Sequence, residues 1–236
     1  MTTTMTTRRA AMTGAATAAV AVFLVPSTGH ADAVSDAQSI VGSADRLVRR
    51  LRAGKQGAKV SALLKAAKGG ALVVPDIVRA GFMVGGETGT GVMLARDVAG
   101  KWTNPVFVRM SSGSYGFQAG IKRYHLLMIV MNEKSMRQMA EFGAQFGTHM
   151  SLAAGDKGYD GSLINTTDLL ADAYSFFETD MGAFGGGSLQ GSALTPRADL
   201  NAAAFGKAAT PQDLLFGGKI PPRKGAARLI EALTVS

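Results

Sequence analysis

From residue 34 to residue 68 the apolar positions recur at helical spacing. Ile40, Val41, Ala44, Leu47, Val48 and Leu51 fall within one arc of about 120° at roughly 100° per residue. Arg46, Arg49, Arg50 and Arg52 occupy the complementary arc. Gly54 and Gly57 break this helix. Val60, Leu63 and Leu64 begin a second, shorter one that ends at Gly69-Gly70.

Beyond residue 70 the pattern changes to period two and short apolar runs, which predict strands. These are residues 71–74, 81–84, 91–94, 106–110, 115–119 and 124–131, and later 149–153, 173–178 and 183–193. Gly85 to Gly89 and Ser111 to Ser114 read as hairpin connections. Asn132 is placed to cap a helix running to about Phe142. Three short helices close the chain, near 200–205, 211–215 and 224–233, and Gly155 to Ser162 reads as a mobile loop. The expected fold class is α+β. It has a strongly curled, mostly antiparallel, glycine-rich sheet or barrel-like body, with N-terminal amphipathic helices and short C-terminal helices.

The first residues read differently. Arg8 and Arg9 precede a mostly apolar run from Gly14 to Val25, and Pro26 to Gly29 break it. With small residues at Gly29, Ala31 and Ala33, this is the pattern of a signal peptide cleaved after Ala31 or Ala33. The adjacent arginines also permit twin-arginine export. The expected organisation is a signal peptide over 1–31 and one domain over 32–236. Within that domain, 32–69 is a basic helical segment and 70–236 a β-rich body. The protein is then exported, periplasmic or secreted.

Composition narrows the chemistry. The chain has 236 residues, 47% of them hydrophobic, a formal net charge of +8 and no cysteine. A core is affordable, while disulfides, thiolate zinc sites and thiol catalysis are excluded. No G-x-S-x-G is present; Gly186-Gly187-Ser188-Leu189-Gln190 lacks the last glycine. Gly86 to Gly91 has a P-loop's glycines without its lysine. His125 and His149 read as structural histidines, and Asp156 with Asp160 lack the calcium-loop ligand pattern. Glu87, Asp97, Glu178 and Asp180 are available as carboxylates, and nothing singles them out. No catalytic residue, metal or cofactor is expected. With one Trp and four Tyr, a base-stacking platform is not indicated, and no nucleic-acid partner is expected.

The charge is concentrated. Between residues 46 and 68 stand Arg46, Arg49, Arg50, Arg52, Lys55, Lys59, Lys65 and Lys68, with no acid among them. A basic amphipathic segment suits an anionic membrane surface; the same stripe also suits a solvated helix face. A second group, Arg79, Arg96, Lys101, Arg109, Lys122 and Arg123, surrounds the strands and hairpins.

Seven segments, in order, carry a family likeness: 65–75 (KAAKGGALVVP), 80–92 (AGFMVGGETGTGV), 102–108 (WTNPVFV), 113–120 (GSYGFQAG), 127–132 (LMIVMN), 182–189 (GAFGGGSL), and Asn201 with Phe205-Gly206. Together they resemble the SYLF family over about residues 35–233. That module occurs in eukaryotic endocytic proteins that bind phosphoinositides and actin, and in exported bacterial proteins. Gln190 stands where the family usually has an acid and Phe205 where it often has tyrosine, so no role of that acid carries over. The resemblance implies a non-enzymatic lipid-binding module with the basic N-terminal helix facing the membrane. Its expected partner is an anionic phospholipid or membrane surface; a protein partner is also compatible. The alternatives are a periplasmic lipid carrier with an apolar cavity, an envelope scaffold, or an enzyme of unrecognised type.

Overall fold

The computed structural model describes residues 30–82, 84–115, 120–141, 152–154, 172–179, 182–183, 192–218, 220–221 and 223–235. Two helices open it, α1 (His30–Ala53) and α2 (Gly57–Ala66). Four long strands follow: β1 (Gly70–Phe82), β2 (Val84–Ala95), β3 (Val106–Tyr115) and β4 (Gly120–Val130). Then come α3 (Glu133–Met139), β5 (Leu152–Ala154), β6 (Ala173–Thr179), β7 (Gly182–Ala183) and β8 (Ala193–Pro196). The described chain closes with α4 (Ala198–Phe205), α5 (Pro211–Phe216), a 3-10 turn (Lys224–Ala226) and α6 (Ala227–Leu233).

The strands form one sheet in the order β5-β6-β4-β1-β2-β3-β8, with β7 beside β6. Among the described strands only β5 and β6 run parallel. Among the described strands the sheet is open, with β5 and β8 at its two edges, so the fold is the α+β sheet rather than a closed barrel.

Helices cover both faces. Ala71, Val73, Val92, Leu94, Leu127 and Ile129 point to the side packed by α1, α2, α4 and α6. Their alternate neighbours Leu72, Val74, Met93, Leu126, Met128 and Val130 point to the side packed by α3 and α5. Because both sides are dry, the central strands carry unbroken apolar runs rather than strict alternation.

The long strands merge what the sequence pattern had separated. Residues 71–74 and 81–84 were expected as two strands, but β1 runs unbroken from the first into Phe82, and Val84 already begins β2. Gly85–Gly89 lies inside β2, and Ser111–Ser114 lies inside β3, paired to Thr88, Glu87, Gly86 and Gly85. At Gly89 and Gly91 glycine serves close approach rather than turning. A Cβ on Gly91 would sit 2.2 Å from the Val73 carbonyl oxygen. β1 accommodates Pro75 at a register shift between Val74 and Ile77. There the Pro75 carbonyl accepts a hydrogen bond from His125 Nδ1.

Other expectations match closely. α1 and α2 break where Gly54 and Gly57 stand. Asn132 caps α3, its Oδ1 accepting from the Ser135 amide at 2.8 Å. The three closing helices are present. The 155–162 loop, His149, Asp156, Asp160, Asp180, Gln190 and the signal-peptide segment before His30 lie outside the described residues.

Two buried asparagines fasten the closing helices to β3. Asn201 on α4 pairs with the backbone of Phe107 in both directions, each bond 2.9 Å long. Asn104 donates to the carbonyls of Ile220 and Pro221 and accepts from the Arg223 amide. Asn201 is one of the positions of family likeness, and here its role is visible: it accepts from the Phe107 amide, which would otherwise lack a partner, and adds a second donor to the Phe107 carbonyl beside the Arg197 amide.

Candidate binding site at the Gly70 end of the sheet

The eight basic residues of the helical segment divide into two groups. Three arginines on α1 are engaged within the fold. Arg49 pairs with Asp45 at 2.7 Å and Glu231 at 3.1 Å, and these carboxylates, Asp45 first, hold its guanidinium above its ordinary value. Arg50 meets the largely buried Glu178 at 2.6 Å. Arg52 donates to the carbonyls of Ala232 at 2.6 Å and Thr234 at 3.2 Å, closing the C-terminus of α6. Arg46 donates to Ser43 Oγ. The acids that meet Arg50 and α6's Glu231 that meets Arg49 come from far along the chain, so a segment free of acids in sequence is not free of them in space.

The apolar face of α1 is also occupied. Val41, Ala44, Leu47, Val48 and Leu51 are buried in the core, with Ile40 packed against it. In this fold the helix cannot offer that face to a bilayer without leaving the core.

The second group is the four lysines, of which Lys55, Lys65 and Lys68 are exposed. Lys55 lies in the turn between α1 and α2, and Lys59 is half-buried on α2. Lys65 and Lys68 stand exposed where α2 hands the chain to β1. They line a cleft of about 710 Å³ at that end of the sheet, together with Arg96, Arg137 and Phe216.

The cleft is built by the crossing from helix to sheet. Gly69 and Gly70 allow it: a Cβ on Gly70 would lie 2.3 Å from the Leu94 carbonyl oxygen. The Lys68 amide donates to Met131 and the Arg96 amide to Gly69, which binds the rim of the cleft to three strands.

Across from the lysines is a tight turn between β2 and β3. Asp97 Oδ1 accepts from the amides of Ala99 and Lys101. Gly100 has a φ of +73°, a left-handed conformation that favours glycine. Arg96 braces the turn, donating to the Gly100 carbonyl at 2.6 Å and to Leu64 of α2 at 3.0 Å, with its guanidinium 4.0 Å from the Trp102 ring. Burial lowers the Arg96 pKa, against the opposing charge of Asp97. The braced turn presents Val98 to solvent at 109% relative exposure. Ile121 is the other large apolar side chain found exposed among the described residues.

Lys65 and Lys68 were readable in the sequence as part of the basic segment, and Arg96 only as one of a scattered second group. Val98 and Arg137 gave no signal, because sheet register and α3 bring them to the cleft. At the opposite end of the sheet Ile121 stands beside Lys122 and Arg123. The arginines there are paired: Arg123 with Asp76 at 3.3 Å, and Arg79 with buried Glu87 at 3.1 Å. Tyr124 donates to that same Glu87, and burial first, then this bond, raise its pKa.

Among the described residues, no three His, Asp or Glu side chains gather as a metal site. Among them, too, no helix is long and apolar enough to cross a membrane.

Comparison with known proteins gives the lineage. Residues 111–236 match the Ysc84 family, described as Las17-binding protein actin regulator. The chain belongs to the SYLF (Ysc84) family. It is 30% identical over 163 residues to Protein YSC84 of Saccharomyces cerevisiae, covering 68% of this chain and 34% of that protein. It is 31% identical over 169 residues to SH3 domain-containing YSC84-like protein 1 of Mus musculus, covering 71% of this chain and 49% of that one. LAS seventeen-binding protein 3 of S. cerevisiae is 30% identical over 162 residues, 68% of this chain and 35% of the relative. The SYLF chain thus spans between a third and a half of these relatives. The family and one relative are named for binding a protein, and the names describe no catalytic activity.

Proposed function

We propose that this SYLF domain is an exported, non-enzymatic module that docks on anionic phospholipid surfaces through the Gly70 end of its sheet. The observation that carries this reading is the fully exposed Val98, held on a braced turn beside Lys101 and facing the cleft rim of Lys65 and Lys68. An exposed apolar side chain with lysines beside it is the arrangement an interface rewards: the valine enters the acyl boundary and the ammonium groups meet phosphates. Three lysines at about 1 kcal/mol each and a valine at about 1.5 kcal/mol give roughly −4.5 kcal/mol. That corresponds to reversible binding near the millimolar range, weakened by salt.

The helix α1 acts in this reading as scaffold, since Arg49, Arg50 and Arg52 hold α6 and β6 in place. This departs from a helix inserted through its apolar face. Sedimentation with vesicles of graded anionic lipid content tests the proposal. Changing Lys65, Lys68 and Lys101 to glutamine should leave the protein in solution, while Lys55→Gln with Lys59→Gln should pellet nearly as the native chain does. The reverse ranking would return the site to the α1–α2 corner.

A protein partner is the second reading. It is supported by relatives named as Las17-binding, and capture of a protein with no vesicle binding at any salt would favour it.

A further inference from the structure

A second concavity lies on the α1 face and shares no residue with the cleft. It has a volume of about 320 Å³. Its floor is apolar: Ala37 and Val41 of α1, Phe107 of β3, and Ala203, Ala204 and Phe205 of α4. Its rim carries Arg223 and Lys224, both exposed.

The groove is fixed on both sides by the asparagines described above. Asn201 locks α4 against Phe107, so the alanine wall cannot slide toward β3. Asn104 holds Ile220, Pro221 and Arg223, which sets the height of the rim. The Arg223 guanidinium lies 5.4 Å from the Phe205 ring centroid, which keeps its charge at the mouth. Neither cation has a carboxylate partner among the described residues.

We propose that this groove holds one long-chain fatty acid, its alkyl chain on the apolar floor and its carboxylate at Arg223 and Lys224. The polarity decides the occupant. Apolar floor and cationic mouth match a molecule with an alkyl tail and one anionic end. The volume sits at the small end of the roughly 300–1,000 Å³ of ligand pockets, which suits one chain rather than a two-chain lipid. The inference goes beyond membrane docking and does not depend on it.

The test is a titration of the full chain with the fluorescent polyene fatty acid cis-parinarate, displaced by saturated fatty acids of graded length below their micellar concentrations. Saturable one-to-one binding is expected. Affinity should rise roughly fourfold per added methylene until the floor is covered, then level off. Ala204→Phe, which fills the groove from an α4 position that is only partly buried, should abolish binding at an unchanged denaturation midpoint. Arg223→Glu with Lys224→Glu should weaken the acid by tenfold or more and leave the fatty alcohol of equal length unchanged. Lys65→Gln with Lys68→Gln should alter vesicle binding alone. Absence of saturable binding by the folded protein would overturn the proposal. So would full affinity in Ala204→Phe, or equal loss of acid and alcohol on reversing the rim.

Discussion

Asn201→Leu removes the most demanding polar contact in the core. Asn201 is 3% exposed and supplies both a donor and an acceptor to Phe107, each at 2.9 Å. Leucine has similar bulk and leaves the Phe107 amide buried without a partner, while the Phe107 carbonyl keeps only its bond from the Arg197 amide at 2.9 Å. One such orphaned group costs about 1–3 kcal/mol, which sets the expected loss. Against a typical domain stability of about 5–15 kcal/mol this is severe but survivable. With a urea dependence of about 2–3 kcal/mol per molar, the midpoint should fall by roughly 0.5–1 M. Asn201→Asp sharpens the test. Its carboxylate still accepts from the Phe107 amide but faces the Phe107 carbonyl without a proton to donate. Burial and that carbonyl raise the folded-state pKa of the new acid, so its destabilisation is present at neutral pH and relieved as pH falls through the raised value. A loss below about 1 kcal/mol in Asn201→Leu, or an Asp variant indifferent to pH, would refute the two-bond account.

Three other perturbations probe the same logic. Arg52→Met should cost about 1–3 kcal/mol, because charged donors leave the terminal carbonyls of α6; urea unfolding reads it, and a neutral result would mean that water replaces them freely. Gly91→Ala should cost about 1–3 kcal/mol or more by forcing β1 and β2 apart at the Val73 carbonyl, visible as a lowered thermal midpoint. Asp199, held below the ordinary carboxylate value chiefly by its hydrogen bond from Arg197, contributes stability above pH 3.8. That contribution is lost as pH falls through the lower folded value, so the small gap between native and Asp199→Asn midpoints at pH 7 should close in acid; a gap that widens would reverse the sign.

Much of the fold was legible because the physics was local. The α1 stripe, the glycine break before α2 and the Asn132 cap each depend on residues within a few positions of one another. The hairpins were misplaced because glycine has two uses. At Gly89 and Gly91 it admits the backbone of β1 rather than turning the chain. The cations were visible, but their partners were not. Glu178 and Glu231 reach Arg50 and Arg49 only once β6 and α6 have docked. Val98 is an ordinary valine in the sequence, and becomes distinctive only on the turn that Asp97, Gly100 and Arg96 build.

The central claim is that the turn bearing Val98 meets the membrane. The chain contains no cysteine, so Val98→Cys and Ile121→Cys each provide a single site for an environment-sensitive NBD label. On adding anionic vesicles at low salt, the label at position 98 should shift to the blue and brighten, and the label at 121 should stay unchanged. A response at 121 with none at 98, or none at either while the protein sediments with the vesicles, would contradict docking through the Gly70 end.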